Sequence, residues 1–287
     1  MELPLPRKED PMSLAFQLLW QCMIPPLLST PLNTPFISLF LPFFIPSVQQ
    51  IVDTYVKSGM TIGLGTGQAS SMAIQYLGHK LRSGTVSNIK GVAMSITSAS
   101  EAAVVGIPLE QYQNNVEIDL AFDDADALEE TTLQAIIGRR KLIGGESIVD
   151  EKRILNAAKD VVLVANEAQV RNLLEGSVPV VIESEEWMGV AEQIDDLFLG
   201  DAEVWRRPAV GHAGPTGGDF PFVTNDGRYI LDVVFTSPIF SLADVARSLL
   251  LIEGVVDHGI ISKMKCHAVV TGQKGLRYIH NTQTNAF

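Results

Sequence analysis

The sequence predicts an α/β protein in which a parallel β-sheet is followed along the chain by a smaller α+β unit. From residue 48 to residue 165, short apolar runs alternate with segments whose apolar residues recur at helical spacing, which is typical of a parallel sheet covered by helices. From residue 178 to residue 261 the order becomes strand, helix, two strands, helix and strand, the order of an α+β sandwich with an open sheet face. Two further apolar runs, 266–271 and 276–279, are expected to rejoin the first sheet.

These patterns divide the chain into three parts. Residues 1–47 form an atypical, proline-rich and largely uncharged segment; residues 48–176 together with 263–287 form the parallel-sheet domain; residues 177–262 form the α+β domain. No charged residue lies between Asp10 and Asp53, and the repeated prolines argue against a regular amphipathic helix there. Because the segment has neither an unbroken membrane-spanning length nor a signal-peptide pattern, we predict an intracellular protein of the cytosol or a plastid that is not secreted.

Composition limits the classes of partner. The net charge of −12 argues against a nucleic acid or an anionic membrane, because both require a basic protein surface. Cys22 and Cys266 are far apart in the chain, so that we expect no disulfide framework and a reducing compartment. The histidines show no metal-ligand spacing, and no metal site is predicted. Any anionic ligand must therefore be held by a local arrangement rather than by overall charge.

A glycine loop after the first strand is the strongest local signal. Residues 60–64 read as a short strand, Gly65, Thr66 and Gly67 as a tight loop, and the residues from Gln68 onward as a helix. Free amides at such a helix start, with the positive end of the helix dipole behind them, form a cradle for an anion such as phosphate. The alternative is a turn that serves only the close packing of strand and helix.

Polar residues also follow the next two strands. Ser95 to Ser98 come after the strand that ends at Ala93, and Asp123 and Asp126 come after the alternating run 116–122. Ligands of open parallel sheets lie beyond the carboxyl ends of the strands, so these groups are expected to meet the glycine loop in one crevice. For the acids, a solvated turn at a strand end is the alternative.

Glu151 is the candidate base. It lies on the apolar stripe of the helix predicted over residues 147–159, where desolvation raises the pKa of a carboxyl group toward the range of a useful base. The alternative is a buried carboxylate tied to Lys152 or Arg153, or held in a network of satisfied hydrogen bonds. A nicotinamide site is disfavoured, because the third glycine of its fingerprint and the ribose-binding acid are missing.

Several motifs together carry a family resemblance. They are GLGTG at 63–67, MSITSASEAA at 94–103, DDAD at 123–126, IGGESIVDEK at 143–152, TNDGRYILD at 224–232 and GVVDHGI at 254–260. In this order the chain resembles the ribose-5-phosphate isomerase A family, in particular a divergent plant-type member. The resemblance implies a Rossmann-like parallel-sheet domain with an inserted ferredoxin-like α+β lid domain, and no cofactor. It also implies a small-molecule pentose phosphate as the partner and allows a homodimer.

The resemblance further implies residue roles. Glu151 would move a proton between C1 and C2 through an enediolate, Asp123 would accept the hydroxyl proton during ring opening, and Asp126 would orient sugar hydroxyls. The substrate-binding residues it implies are Gly65, Thr66, Gly67, Ser95, Ser98, Gly144, Gly145 and Lys141.

The chain departs from the family pattern at the site. DDADA stands where the family has DGADE, which places Asp124 at a glycine position, and Leu142 falls at the position of the catalytic lysine. Lys141 or Arg140 would have to reach the site from a lengthened loop. Two hypotheses follow: an aldose–ketose isomerase that interconverts D-ribose 5-phosphate and D-ribulose 5-phosphate, or a catalytically weak relative that binds a sugar phosphate or a partner subunit.

Overall fold

The computed structural model describes residues 48–113, 116–140, 142, 146–214, 220–262, 266–272 and 275–280. All of them belong to one unit that spans Pro42–Phe287. The predicted segment 1–47 lies outside the described residues. Among the described helices, none is long and apolar enough to cross a membrane.

The helices and strands follow the predicted alternation. The helices are α1 at 48–55, α2 at Gln68–Arg82, α3 at Ile96–Val105, α4 at Ile148–Ala157, α5 at Trp187–Leu197 and α6 at Leu242–Leu249. The strands are β1 at Thr61–Leu64, β2 at Lys90–Ala93, β3 at Ile118–Asp124, β4 at Ala127–Glu129, β5 at Ala135–Ile136, β6 at Ala158–Asn166, β7 at Val170–Arg171, β8 at Leu174–Ile182, β9 at Ala202–Arg206, β10 at Tyr229–Ile239, β11 at Val255–His258, β12 at Ile260–Ile261, β13 at Cys266–Gly272 and β14 at Gly275–His280.

The main sheet has six strands in the order β14-β13-β6-β3-β1-β2. β2, β1, β3, β6 and β13 run parallel, and β14 pairs antiparallel to β13 at the edge. The central strands consist largely of fully buried apolar residues, for example Leu64, Phe122 and Leu163, as expected for a parallel sheet covered on both faces. The predicted α/β class is confirmed, and so is the return of the two C-terminal strands to this sheet.

The second sheet has the predicted strand and helix order. β8, α5, β9, β10, α6 and β11 follow one another, and the four strands pair antiparallel in the order β11-β8-β10-β9. Val178, Val180 and Ile182 of β8 are buried in an apolar cluster with residues of α5 and α6. This is the ferredoxin-like arrangement that the resemblance implies.

A third, small sheet was not predicted. Its order is β12-β5-β4-β7, and its strands are only two or three residues long. Ile260 pairs with Ile136, so this sheet joins the end of the α+β segment to the chain that follows Asp126. At Gly259 a Cβ would lie 2.2 Å from the carbonyl oxygen of Ile137, which explains why glycine allows the two segments to approach. The predicted boundaries at residues 176 and 262 stay predictions.

Candidate active site

Three loops meet beyond the carboxyl ends of parallel strands. β1 lies between β2 and β3, and the chain leaving these strands brings Thr66, Ser95 and Asp123 into contact. Thr66 Oγ1 donates to Ser95 Oγ over 2.9 Å, and the amide of Thr66 donates to Asp123 Oδ1 over 2.9 Å. At Gly65 a Cβ would lie 2.2 Å from the carbonyl oxygen of Phe122, so only glycine lets this loop lie against β3.

Ser95 and Ser98 form the cap of α3. Ser95 Oγ accepts from the amide of Ser98, and Ser98 Oγ accepts from the amide of Ser95, each over 3.1 Å. This capping box starts α3 at Ile96. Ser98 is 1% exposed and buried within the cap, whereas Ser95 also accepts from Thr66. Their predicted contact with substrate stays a prediction.

The start of α2 already holds an anion, the carboxylate of Asp124. Its Oδ2 accepts from the amide of Ala69 over 2.9 Å, and its Oδ1 accepts from the amide and the hydroxyl of Ser70, each over 2.7 Å. The glycine loop by itself predicts that these amides are free for a phosphate. In the structure they are bound by a side chain of the same protein.

Asp123 and Glu151 form a buried acidic pair. Asp123 is 0% exposed and Glu151 is 3% exposed. Burial raises the pKa of both carboxyl groups, and the negative charge of Glu151 raises the pKa of Asp123 further, to well above its ordinary value. The Oδ2 atom of Asp123 is buried and has no hydrogen-bond donor opposite it among the described residues. The pKa of Asp123 is raised well above its ordinary value while Arg140 opposes the rise at Glu151, so the environment favours one acid and one base in this pair.

Arg140 is the cation of this acidic pair. Its Nη2 donates to Glu151 Oε1 over 2.6 Å, and its positive charge lowers the pKa of both Glu151 and Asp123. The Nη1 atom of Arg140 is buried and has no acceptor within the part of the chain that the structure describes. The site thus presents an unused donor beside two carboxyl groups.

The neighbouring Arg139 has a different position. Its Nε donates to the carbonyl oxygen of Ser177 over 2.5 Å and its Nη2 to that of Glu175 over 2.7 Å. Its backbone amide donates to Asp126 Oδ2 over 2.8 Å, so the predicted site residue Asp126 holds the loop from which Arg140 extends. The negative charge of Asp126 also raises the pKa of Glu151 and of Arg140.

The interactions of α4 fix the position of Glu151. Lys152, the next residue, donates to Asp257 Oδ1 and, over 3.0 Å, to the carbonyl oxygen of His258. Arg153 pairs with Asp150 on the helix surface. Neither basic neighbour of Glu151 is therefore its partner, and the alternative predicted from the sequence is wrong about the identity of the cation.

The remaining predicted residues divide into two groups. Leu142 is 5% exposed and packs in the main apolar cluster, and its side chain cannot supply the positive charge of a lysine. Lys141, Gly144 and Gly145 lie outside the described residues, and their predicted contacts with substrate stay predictions.

From the sequence, Lys141 or Arg140 is expected to reach the site, and Lys141 is the one named among the substrate-binding residues. Charge alone does not distinguish between these adjacent basic side chains. The choice depends on loop geometry, because only the structure shows that Arg139 turns toward carbonyl groups of β8 while Arg140 turns toward Glu151.

A cavity of about 500 Å³ opens beside Arg140. It is lined by Arg139, Arg140, Leu142, Arg207 and His212, among others. This volume is in the range of small-molecule sites. Within the described residues, no group of His, Cys, Asp and Glu side chains is arranged to hold a metal ion.

Comparisons with known proteins agree with this arrangement. The family model described as ribose 5-phosphate isomerase A (phosphoriboisomerase A) matches residues 90–275. The probable ribose-5-phosphate isomerase 2 of Arabidopsis thaliana is 32% identical over 78% of this chain and 81% of its own. The ribose-5-phosphate isomerase A of Thermomicrobium roseum is 31% identical over 80% of this chain and 90% of its own. The solved ribose 5-phosphate isomerase from Plasmodium falciparum has a TM-score of 0.73 and 27% identity, covering 84% of this chain and 99% of its own. The chain therefore belongs to the ribose 5-phosphate isomerase A family.

Proposed function

We propose that this protein interconverts D-ribose 5-phosphate and D-ribulose 5-phosphate through an enediolate, in the non-oxidative branch of the pentose phosphate pathway. The observation that supports it most is the buried pair of Asp123 and Glu151 with Arg140 at 2.6 Å from Glu151. Moving a proton between adjacent carbons beside a carbonyl group requires a base, an acid and a group that stabilises an oxyanion. The three side chains supply these three functions.

Glu151 is the base in this proposal. It takes the proton from C2 of the open-chain aldose, and the electron pair of that C–H bond forms the C1–C2 double bond while O1 becomes an oxyanion. Returning the proton to C1, while the proton on O2 passes to O1, gives the ketose with a hydroxyl group at C1 and a carbonyl group at C2. Burial raises the pKa of Glu151 and Arg140 opposes this rise, which favours the ionised carboxylate that can accept the proton.

Asp123 and Arg140 act on the oxygen atoms. Asp123, whose pKa is raised well above its ordinary value, exchanges the hydroxyl proton during ring opening. The Nη1 atom of Arg140, which has no acceptor among the described residues, is the donor for the oxyanion of the enediolate. The absence of a lysine at position 142, which is Leu142 here, therefore does not favour the hypothesis of a catalytically weak relative, because Arg140 supplies a cation instead.

Finer features belong to the same proposal. The α+β segment 177–262 serves as a lid domain on the parallel-sheet domain 48–176 with 263–287, and the residues implied by the resemblance bind the sugar phosphate. The protein works inside the cell, in the cytosol or a plastid; Cys22 and Cys266 are far apart in the chain and lack CxxC spacing, which fits a reducing compartment. A homodimer is the proposed assembly, since large apolar side chains such as Leu199, Phe240 and Leu251 are exposed on the chain.

The test is turnover of ribose 5-phosphate by the full chain and by Glu151→Gln. The variant should lose turnover by at least about 10²-fold, since a positioned general base contributes about 10²–10⁴-fold, while it still binds ribose 5-phosphate. Asp150→Asn is the matched control, because Asp150 lies one residue earlier on α4 and is exposed, paired with Arg153. Equal turnover of Glu151→Gln and the unmodified chain would remove Glu151 from the proposal.

A further inference from the structure

The most unusual contact of the site is the one between Asp124 and the start of α2. Three donors converge on one carboxylate: the amide of Ala69, and the amide and the hydroxyl of Ser70, at 2.7–2.9 Å. The carboxylate thus takes up donors that a helix start offers to an external anion, together with the favourable end of the helix dipole.

The surrounding chain is shaped to admit this carboxylate. Gly67 precedes α2 with φ of +137°, and a Cβ at this position would lie 2.4 Å from the carboxyl carbon of Asp124. Any side chain at residue 67 would therefore clash with Asp124. The contact is enclosed by the loop rather than resting on its surface.

We infer that Asp124 is an internal competitor of the substrate phosphate for the amides of Ala69 and Ser70. This inference deepens the proposed function, since it concerns the phosphate group of the same substrate. Two anions cannot share two amides without strong mutual repulsion, so a phosphate reaches these donors only when the Asp124 carboxylate withdraws from them. The energy of breaking three hydrogen bonds to a charged group is then subtracted from the affinity for the phosphate. Asp124 thereby sets how tightly this chain holds the phosphorylated end of a sugar.

The experiment measures binding of inorganic phosphate to the full chain and to its variants by calorimetry. Asp124→Gly and Asp124→Asn should each bind phosphate at least about tenfold more tightly, which corresponds to about 1.4 kcal/mol. Asp124→Asn keeps the size of the side chain and removes only the charge, so it also reports if the glycine variant is less stable. Asp119→Asn is the matched control, because Asp119 lies on the same strand and binds Thr61 and Lys159, far along β3 from the helix start.

A second readout locates the effect. Phosphate should shift the backbone amide NMR signals of Ala69 and Ser70 in Asp124→Asn at concentrations about tenfold lower than in the unmodified chain. Unchanged or weaker phosphate binding in both Asp124 variants would overturn the inference, and so would tighter binding in Asp119→Asn alone. Both measurements use inorganic phosphate and need no turnover. A protein that failed to isomerise ribose 5-phosphate would refute the proposed function, but the effect of the Asp124 variants on phosphate binding could still be interpreted.

Discussion

Removing the charge of Arg140 should reduce both turnover and stability. The guanidinium lies 2.6 Å from a carboxylate that is 3% exposed, and its second terminal nitrogen is buried without an acceptor among the described residues. In Arg140→Met the stem of the side chain is kept and the charge is lost. Glu151 then stays buried without its cation, and the oxyanion of the enediolate loses a donor.

The loss of turnover and the loss of folding stability are separate quantities. Loss of one oxyanion donor typically reduces kcat by about 10²–10³, or about 2.7–4 kcal/mol. Removing one partner of a buried ion pair costs about 3–5 kcal/mol of folding stability. Because Arg140 lowers the pKa of Glu151, the acidic limb of the pH–rate profile should also move to higher pH in the variant.

The assay is kcat and KM for ribose 5-phosphate across the pH range, with urea unfolding of the same samples. Arg139→Met is the matched control, because the side chain of this adjacent arginine donates to the carbonyl oxygens of Glu175 and Ser177 rather than to Glu151. The control should keep its acidic limb and most of its turnover.

A double variant separates the two effects. In Arg140→Met with Glu151→Leu both charges are gone, so stability should return toward that of the unmodified chain while turnover stays lost. Normal kcat and an unmoved acidic limb in Arg140→Met would refute the role of Arg140, whatever the stability shows.

Two further predictions concern burial. Asp123→Asn should remove a pH dependence of stability. Because the pKa of Asp123 is raised in the folded protein, the unmodified chain loses stability as the pH rises from 3.8, the ordinary pKa of an aspartic acid, toward the pKa in the folded state. The variant should not show this loss. A difference in melting temperature between the two that is constant from pH 4 to pH 8 would contradict this. Leu142→Lys should lower stability by several kcal/mol and leave turnover no higher, because it places an ammonium group in the main apolar cluster. Leu142→Met should cost less than about 1.5 kcal/mol, and a rise in turnover of Leu142→Lys would contradict the assignment of Arg140.

The sequence predicts most of the fold, since the strands of the main sheet carry strong patterns. The alternation of residues 118–122 and the apolar run 161–165 follow from burial alone, and the structure places β3 and β6 there. The third sheet could not be predicted, because two-residue strands such as Ala135–Ile136 have no period and depend on pairing with Ile260 and Ile261.

The candidate site was predicted in part. The buried position of Glu151 follows from the helical spacing of its neighbours, and its burial is observed. The identity of its cation does not follow, because the loop around Arg140 has no periodic pattern and the choice among three basic residues depends on tertiary contacts. The binding of the Asp124 carboxylate at the glycine loop could not be predicted either. Asp124 is distant in sequence, and nothing in the residues around Gly67 indicates that it accepts hydrogen bonds from the amides there.

The small third sheet has a consequence for cooperativity. The amide of Ile137 donates to the carbonyl oxygen of Gly259 over 2.8 Å, and Ile260 pairs with Ile136. Arg207 of the α+β segment donates to the carbonyl oxygen of Gly138 over 2.7 Å. The ferredoxin-like part is thus hydrogen-bonded to the segment that leads to Arg140, and it cannot move away from that segment without breaking these hydrogen bonds. Amide protons on the two sides of the small third sheet should therefore exchange with solvent as one unit. Local unfolding of the α+β part and the separation of Arg140 from Asp123 and Glu151 are then a single event.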